Sequence, residues 1–180
     1  MAPMAERTIS SRRAFDGKLI RVRVDEVELE SGRRSTREVV EHPGAVAILV
    51  WDGERLAMVR QWRQPAGRDL LEVPAGTLDP GEAPHATAVR ELAEECGLAA
   101  ARWDEGPRFY TAPGFCTELM HVWLATELTD APSLGDPDEE LTLEWVALRD
   151  AVRAIDEGAI LDAKSIAAIL WLARELAVEG

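Results

Sequence analysis

Cysteine is scarce in this chain. Cys96 and Cys116 are the only two, and they lack the paired spacing of a disulfide framework. That excludes a disulfide-stapled secreted scaffold and fits a reducing cytoplasm. Long apolar runs are missing as well: the longest, residues 45–51 and 166–173, fall far short of the roughly 20 residues that span a bilayer. The first fifteen residues carry Arg7, Arg12 and Arg13 but no apolar core of a signal peptide, so a soluble cytoplasmic protein is expected. Positive charge is in deficit, with 20 Lys and Arg against 33 Asp and Glu, a net charge of −13 and a pI of about 4.7. A general nucleic-acid surface or an anionic-membrane surface is excluded on that balance. An anionic ligand must then be captured by local arginines and metal. Neither a low-complexity tract nor a His and Cys cluster with zinc spacing occurs.

What is present is a globular composition, 47% hydrophobic and 29% charged over 180 residues, enough for one domain with a substantial core. Residues 1–13 read as a flexible arm. Over 19–29, Ile20, Val22 and Val24 alternate with Arg21, Arg23 and Asp25; Ser31-Gly32 turns the chain, and 37–41 resume a strand. Residues 14–42 are therefore expected as an antiparallel β-hairpin, too small to be stable alone. A continuous apolar strand over 45–50 follows, then an Asp52-Gly53 turn, a return strand over 56–63 ending at Arg63, and another over 70–73. Further strands are expected at 109–111, 120–125 and 141–146. The chain ends in two helices, 147–157 stopping at Gly158, and 163–177 capped by Asp162 with Ile166, Ile169, Leu170 and Ala173 buried. Lys164 and Trp171 are left to packing or to a partner surface. The mixed order of strands and helices fits an α+β (α/β/α sandwich) domain.

The segment from Gly76 to Leu98 carries the chemistry. Val89, Leu92, Ala93 and Cys96 recur with the spacing of one buried helix face, and Gly97 supplies the stop. Glu91, Glu94 and Glu95 then fall within an arc of roughly 100° on the other side, where like charges repel. On spacing alone such a cluster reads first as a solvated acidic face; the other reading is a site for hard divalent cations, which, held by carboxylate and carbonyl oxygens, neutralise the charge that repels water attacking a polyanionic diphosphate. Glu91 and Glu95, one turn apart, can bridge such ions. Arg90, four residues before Glu94, can pair with it and orient it. Gly76 is expected to let the preceding loop turn tightly and present backbone oxygens such as that of Ala75. Magnesium or manganese suits an all-oxygen set.

Gly76, Glu82, Arg90, Glu91, Leu92, Glu94, Glu95, Gly97 and Leu98 together match the Nudix box without a departure. At average residue frequencies a chance match in such a chain is on the order of 10⁻⁷. The chain resembles a Nudix hydrolase over roughly residues 37–175. The resemblance implies a mixed sheet between helices, with the box as loop, helix and loop. Residues 60–65 and 71–76 are similar to the ADP-ribose pyrophosphatases of that family, and so is Pro113, fifteen positions beyond Leu98, with Gly114 and Glu118 after it.

From this likeness follow expectations for the site. Ala75, Glu91 and Glu95 hold two or three Mg²⁺ ions (Mn²⁺ as the alternative), supported by Arg90. Arg63 and Arg37 bind substrate, with Gly76 and the loop of Pro113, Gly114 and Glu118. Glu72 joins the metal shell or a hydrogen-bond network, or is only a structural glutamate at a strand end. The catalytic set is Glu139 as base, with Glu140 as its alternate, and Glu94. In this subfamily the N-terminal strands help form a homodimer, so the divisions expected are an arm at 1–13, a dimer-forming hairpin at 14–42 and the hydrolase domain at 43–180. The expected reaction is Mg²⁺-dependent hydrolysis of ADP-ribose to AMP and ribose 5-phosphate, with no nucleic-acid or membrane partner. A Nudix hydrolase of another nucleoside diphosphate derivative, such as a nucleotide sugar or NADH, or a non-catalytic ADP-ribose sensor, is the alternative.

Overall fold

The computed structural model describes residues 6–132 and 140–178. These form two compact units, one of the described residues up to Gly44 together with Tyr110–Leu119, the other of Ala45–Phe109 and the described residues from Met120 onward.

The first unit is built on a three-stranded antiparallel sheet, β1 (Arg7–Asp16), β2 (Arg21–Glu28) and β3 (Arg34–Glu41), in the order β1-β2-β3. The sequence reading placed residues 7–13 in a flexible arm and expected only two strands. The arm is corrected to a strand, and the reason is visible in its composition. Residues 7–16 show no apolar alternation and nearly all are exposed. β1 is held instead by backbone pairing and by polar cross-strand contacts: Arg7 to Glu28 at 3.0 Å, Ser10 to Glu26 at 3.1 Å, Ser11 to Asp25 at 2.6 Å, and Arg13 to Glu41. Hydropathy does not report such pairing.

The second unit follows the sandwich expected from the mixed element order. Its sheet runs β10 (Leu141–Ala147), β5 (Arg55–Arg63), β4 (Ala45–Trp51), β9 (Leu119–Asp130), β8 (Leu98–Tyr110), with β6 (Arg68–Glu72) on β5 and β7 (Ala75–Thr77) on β4. β4 is antiparallel to β5 and β7 but parallel to β9, so the sheet is mixed. The continuous apolar run of β4 has a direct cause: both of its faces are covered. Ala45, Ala47 and Leu49 pack with Ala151 of α2 (Leu148–Asp156) and with Ala168, Ile169 and Leu172 of α3 (Ala163–Val178). Val46, Ile48 and Val50 pack with Ala88 and Leu92 of α1 (Pro84–Cys96).

Besides β1, one strand was read only in part and one was missed. β8 extends from Leu98 where only 109–111 were expected, because its residues are largely polar and include Gly106-Pro107. β7 lies where a loop was expected; three residues are too few to show alternation. Both helix faces are also rotated from the expected stripes. On α1 the buried residues are Thr87, Ala88, Leu92 and Glu95, while Val89 is 44% exposed. On α3 they are Lys164, Ser165, Ala168, Ile169 and Leu172, while Leu170 is exposed. In each case partnered polar groups occupy interior positions that an apolar count assigns elsewhere.

Candidate active site

β7 and α1 present the acidic segment. β5 pairs with β4 only at Val50–Ala57 and Trp51–Leu56, and then β7 takes over that edge, setting Ala75 opposite Ala47 and Gly76 opposite Val46. The chain then turns into α1, whose first residue is Pro84, well suited to a helix start because its missing N–H has no partner to lose. Glu82 ties that turn together by accepting from Thr87 Oγ1 at 2.9 Å. Gly97 ends the helix in the left-handed conformation (φ 63°) and donates to the Ala93 carbonyl at 3.0 Å.

Arg90 is the hub of the segment. Its Nη1 donates to Glu91 at 2.7 Å and to Glu94 at 2.8 Å; its Nε and Nη2 donate to Glu82 at 3.3 and 3.2 Å, and Nη2 to the Thr77 carbonyl at 3.4 Å. The Arg90–Glu94 pair was readable from the four-residue spacing; the clasp to Glu82 was not. These bonds, Glu82 first, raise the already high pKa of Arg90 against the opposing effect of burial. The same arginine holds the Glu82 carboxyl below its ordinary range.

Glu95, only 9% exposed, accepts the Ala75 N–H at 3.1 Å and so fixes the start of β7 to the helix. Glu91 lies against Gly76: a Cβ built there falls inside the Glu91 carboxyl. The glycine is required by this close approach. The expected tight turn is corrected, since Gly76 is not among the glycines with positive φ. Cys96, beside Glu95, has its thiol pushed up to about 12, by burial first and by that carboxylate second, and is an inert small core group.

At the end of β6, Glu72 is 1% exposed and accepts two bonds from Arg63, Nε and Nη2, each at 2.8 Å, as well as one from Lys164. Burial works to raise the Glu72 carboxyl, but the hydrogen bonds from Arg63 and Lys164 outweigh it and hold the group below its ordinary range. Glu72 is thus in a hydrogen-bond network, one of the alternatives left open for it. Arg63 and Glu72, read from a strand end, and Lys164 and Asp162, read as helix packing and cap, belong to one cluster. The available signal was the Asp-x-Lys-Ser sequence at the start of a helix whose apolar face lies one position over.

The remaining candidates lie elsewhere. Arg37 belongs to the first unit, where it bonds Glu6, Ser35 and the Thr36 carbonyl. Pro113, Gly114 and Glu118 are on the loop of that same unit; Cys116 N donates to the Ala112 carbonyl at 2.9 Å, and Glu118 accepts from Thr111 Oγ1 at 2.6 Å. Glu140 is exposed just before β10, and Glu139 lies outside the described residues. Among the described residues no group of three or more His, Cys, Asp or Glu forms a ready metal cage, and no helix is long and apolar enough to cross a membrane.

Comparison with known proteins gives the family and the fold. Residues 41–169 match the NUDIX domain, and residues 6–40 match the nucleoside diphosphate sugar hydrolase N-terminal domain. An ADP-ribose pyrophosphatase of Bacillus subtilis (strain 168) is 42% identical over 183 residues, covering 100% of this chain and 99% of its own length. A methanol dehydrogenase activator of Bacillus methanolicus is 38% identical over 93% of this chain and 92% of its own. A crystal structure of an ADP compounds hydrolase superposes with a TM-score of 0.87 over 97% of this chain and 96% of that one, and at 22% identity it carries the fold. A chain that matches the NUDIX domain across residues 41–169 and folds its acid-rich segment in this way belongs to the Nudix hydrolase family.

Proposed function

We propose that this chain hydrolyses the diphosphate of ADP-ribose to AMP and ribose 5-phosphate with magnesium. The observation that carries the reading is a gathering of acid: Glu82 just before α1 and Glu91, Glu94 and Glu95 in its second half, with Arg90 bonded to the first three. Carboxylate oxygens gathered in this way are a fit for hard divalent cations.

Glu91, Glu95 and the Ala75 carbonyl fit magnesium by the chemistry of their donors, all of them oxygen. Two carboxylates with substrate oxygens are a usual complement for Mg²⁺, so the lack of a three-residue cage is no obstacle. Mn²⁺ suits the same donors, and two or three ions would share them. When bound, the metal supplies Lewis-acid chemistry, drawing charge from the phosphoryl oxygens and acidifying the attacking water.

The chain's own groups do the rest. Arg63 turns toward the diphosphate the one guanidinium nitrogen that has no hydrogen-bond partner among the described residues, Nη1. Glu139, or Glu140 beside it, accepts the proton of the attacking water as the anhydride P–O bond breaks. Glu94, oriented by Arg90, is the third carboxylate of the catalytic set. Gly76 is the further substrate contact proposed in this unit; Arg37, Pro113, Gly114 and Glu118 are proposed as substrate-binding residues of the first unit.

The choice of ADP-ribose is supported by the Bacillus subtilis relative, alike from end to end. A nucleoside diphosphate sugar is the second reading, favoured by the match of residues 6–40. The N-terminal strands are assigned to a homodimer, and the two free cysteines fit a cytoplasmic setting. A panel of ADP-ribose, nucleotide sugars and NADH, run with Mg²⁺ and with Mn²⁺ and scored by products, tests the proposal. ADP-ribose should give the highest kcat/KM, with AMP and ribose 5-phosphate as products. A nucleotide sugar turned over faster supports the second reading, and a thermal shift with ADP-ribose but no AMP makes the chain a sensor.

A further inference from the structure

The N-terminus of α3 carries an arrangement that helix formation does not ask for. Asp162 caps the helix in the ordinary way, its Oδ2 accepting Ser165 N at 3.0 Å and Ser165 Oγ at 2.6 Å. Lys164, however, stands in the first turn, at the positive end of the helix dipole, where a cation is disfavoured. It is also 9% exposed, and burying an ammonium is unfavourable unless it is paired. A residue that breaks two local preferences in one place is expected where function requires it.

Its partners say what is required. Lys164 Nζ donates to Asp162 Oδ2 at 2.9 Å and to Glu72 Oε2. Glu72 in turn grips Arg63 through both carboxylate oxygens. Ser165, fully buried, accepts the Val73 N–H at 2.8 Å, two residues before Ala75. One cluster thus fixes the side chain of Arg63 and the backbone that leads to Ala75 and Gly76, across 92 residues of sequence. Arg63 alone would leave the buried Glu72 with one cationic partner. Lys164 gives Oε2 a second cationic partner and is itself balanced by Asp162, so the four charges sum to zero.

We infer that Lys164 is a positioning residue: acting through Glu72, it presets the Arg63 guanidinium with Nη1 turned toward the ligand. The inference rests on the assignment of Arg63 to substrate binding. A merely structural ion cluster is the rival, and the two differ in what they move. Lys164→Met should raise the KM for ADP-ribose at least about tenfold, in the range found for partners that orient a binding group, while kcat changes less than about threefold. Lys164→Arg should recover most of the loss.

A substrate-independent readout is the Arg63 Nε–H resonance in the ligand-free protein, which is protected in the wild type by the bond to Glu72 and should exchange faster in Lys164→Met. If that variant does not fold, the double variant Asp162→Asn with Lys164→Met, which removes both charges of that pair and leaves Glu72 on Arg63, carries the same expectation for KM and for the resonance. An unchanged KM and an unchanged Arg63 resonance in a folded variant overturn the inference. If the wild type does not hydrolyse ADP-ribose at all, the proposed function fails, and the resonance still decides whether Lys164 positions Arg63.

Discussion

The carboxyl of Glu91 rests on the bare Cα of Gly76, in the space that any side chain at that position would fill. Gly76 is held in β7 opposite Val46, so the strand cannot easily move away. Gly76→Ala must therefore displace Glu91. Turnover should fall by about 100-fold, the scale of a 1 Å misplacement, with a stability loss of about 1–3 kcal/mol from overpacking. Product release and thermal unfolding measure the two. Normal turnover would mean that Glu91 moves without consequence.

Glu95 accepts the Ala75 N–H and, on the proposed function, holds metal; one substitution separates the two. A glutamine keeps an acceptor for the Ala75 N–H, now 3.1 Å away, but loses the charge. Glu95→Gln should leave the melting temperature nearly unchanged and cut turnover by at least about 100-fold. Calorimetric titration with Mg²⁺ in the presence of AMP should show the weaker metal binding. Near-normal activity removes Glu95 from the metal site.

The acidic box, the apolar strand over 45–50 and the capped final helix were legible because each is a spacing rule: fixed intervals in the box, continuous burial in the strand, Asp162 three residues before Ser165. What escaped were features made by pairing across the fold. β1 is a strand of exposed polar residues whose partners lie on β2 and β3. Lys164 and Glu95 are buried because other elements supply their partners, and counting apolar residues therefore turned both helix faces by about one position. The role of Gly76 was misread for the same reason: its neighbour is fifteen residues away in the chain and touching in space.

The base is open to a direct comparison. Glu139→Gln should lower kcat far more than it weakens ADP-ribose affinity, with Glu140→Gln milder. The reverse order shifts the assignment by one residue. Equal and small effects from both, measured under single-turnover conditions, remove this segment from proton transfer.

Acid should expose the buried cluster at Glu72. Its carboxyl is held below its ordinary value, because the bonds from Arg63 and Lys164 outweigh burial. The unfolded chain therefore binds this proton more tightly than the folded one. The stabilisation is complete above the unfolded pKa of about 4.3 and is lost as pH falls through the lower folded value. Melting temperature measured from about pH 6 down to about pH 3 should drop steeply in the wild type. Glu72→Gln should start lower at neutral pH and fall with a shallower slope; an identical slope assigns the acid sensitivity to other groups.

The central claim is that the carboxylates of α1 face one another because cations belong between them and a diphosphate. A crystal soaked with magnesium and a non-hydrolysable ADP-ribose analogue tests it most directly. Magnesium density against Glu91 and Glu95, bridging to the diphosphate oxygens, is the predicted result. Ordered analogue with both carboxylates bare and facing water would contradict it.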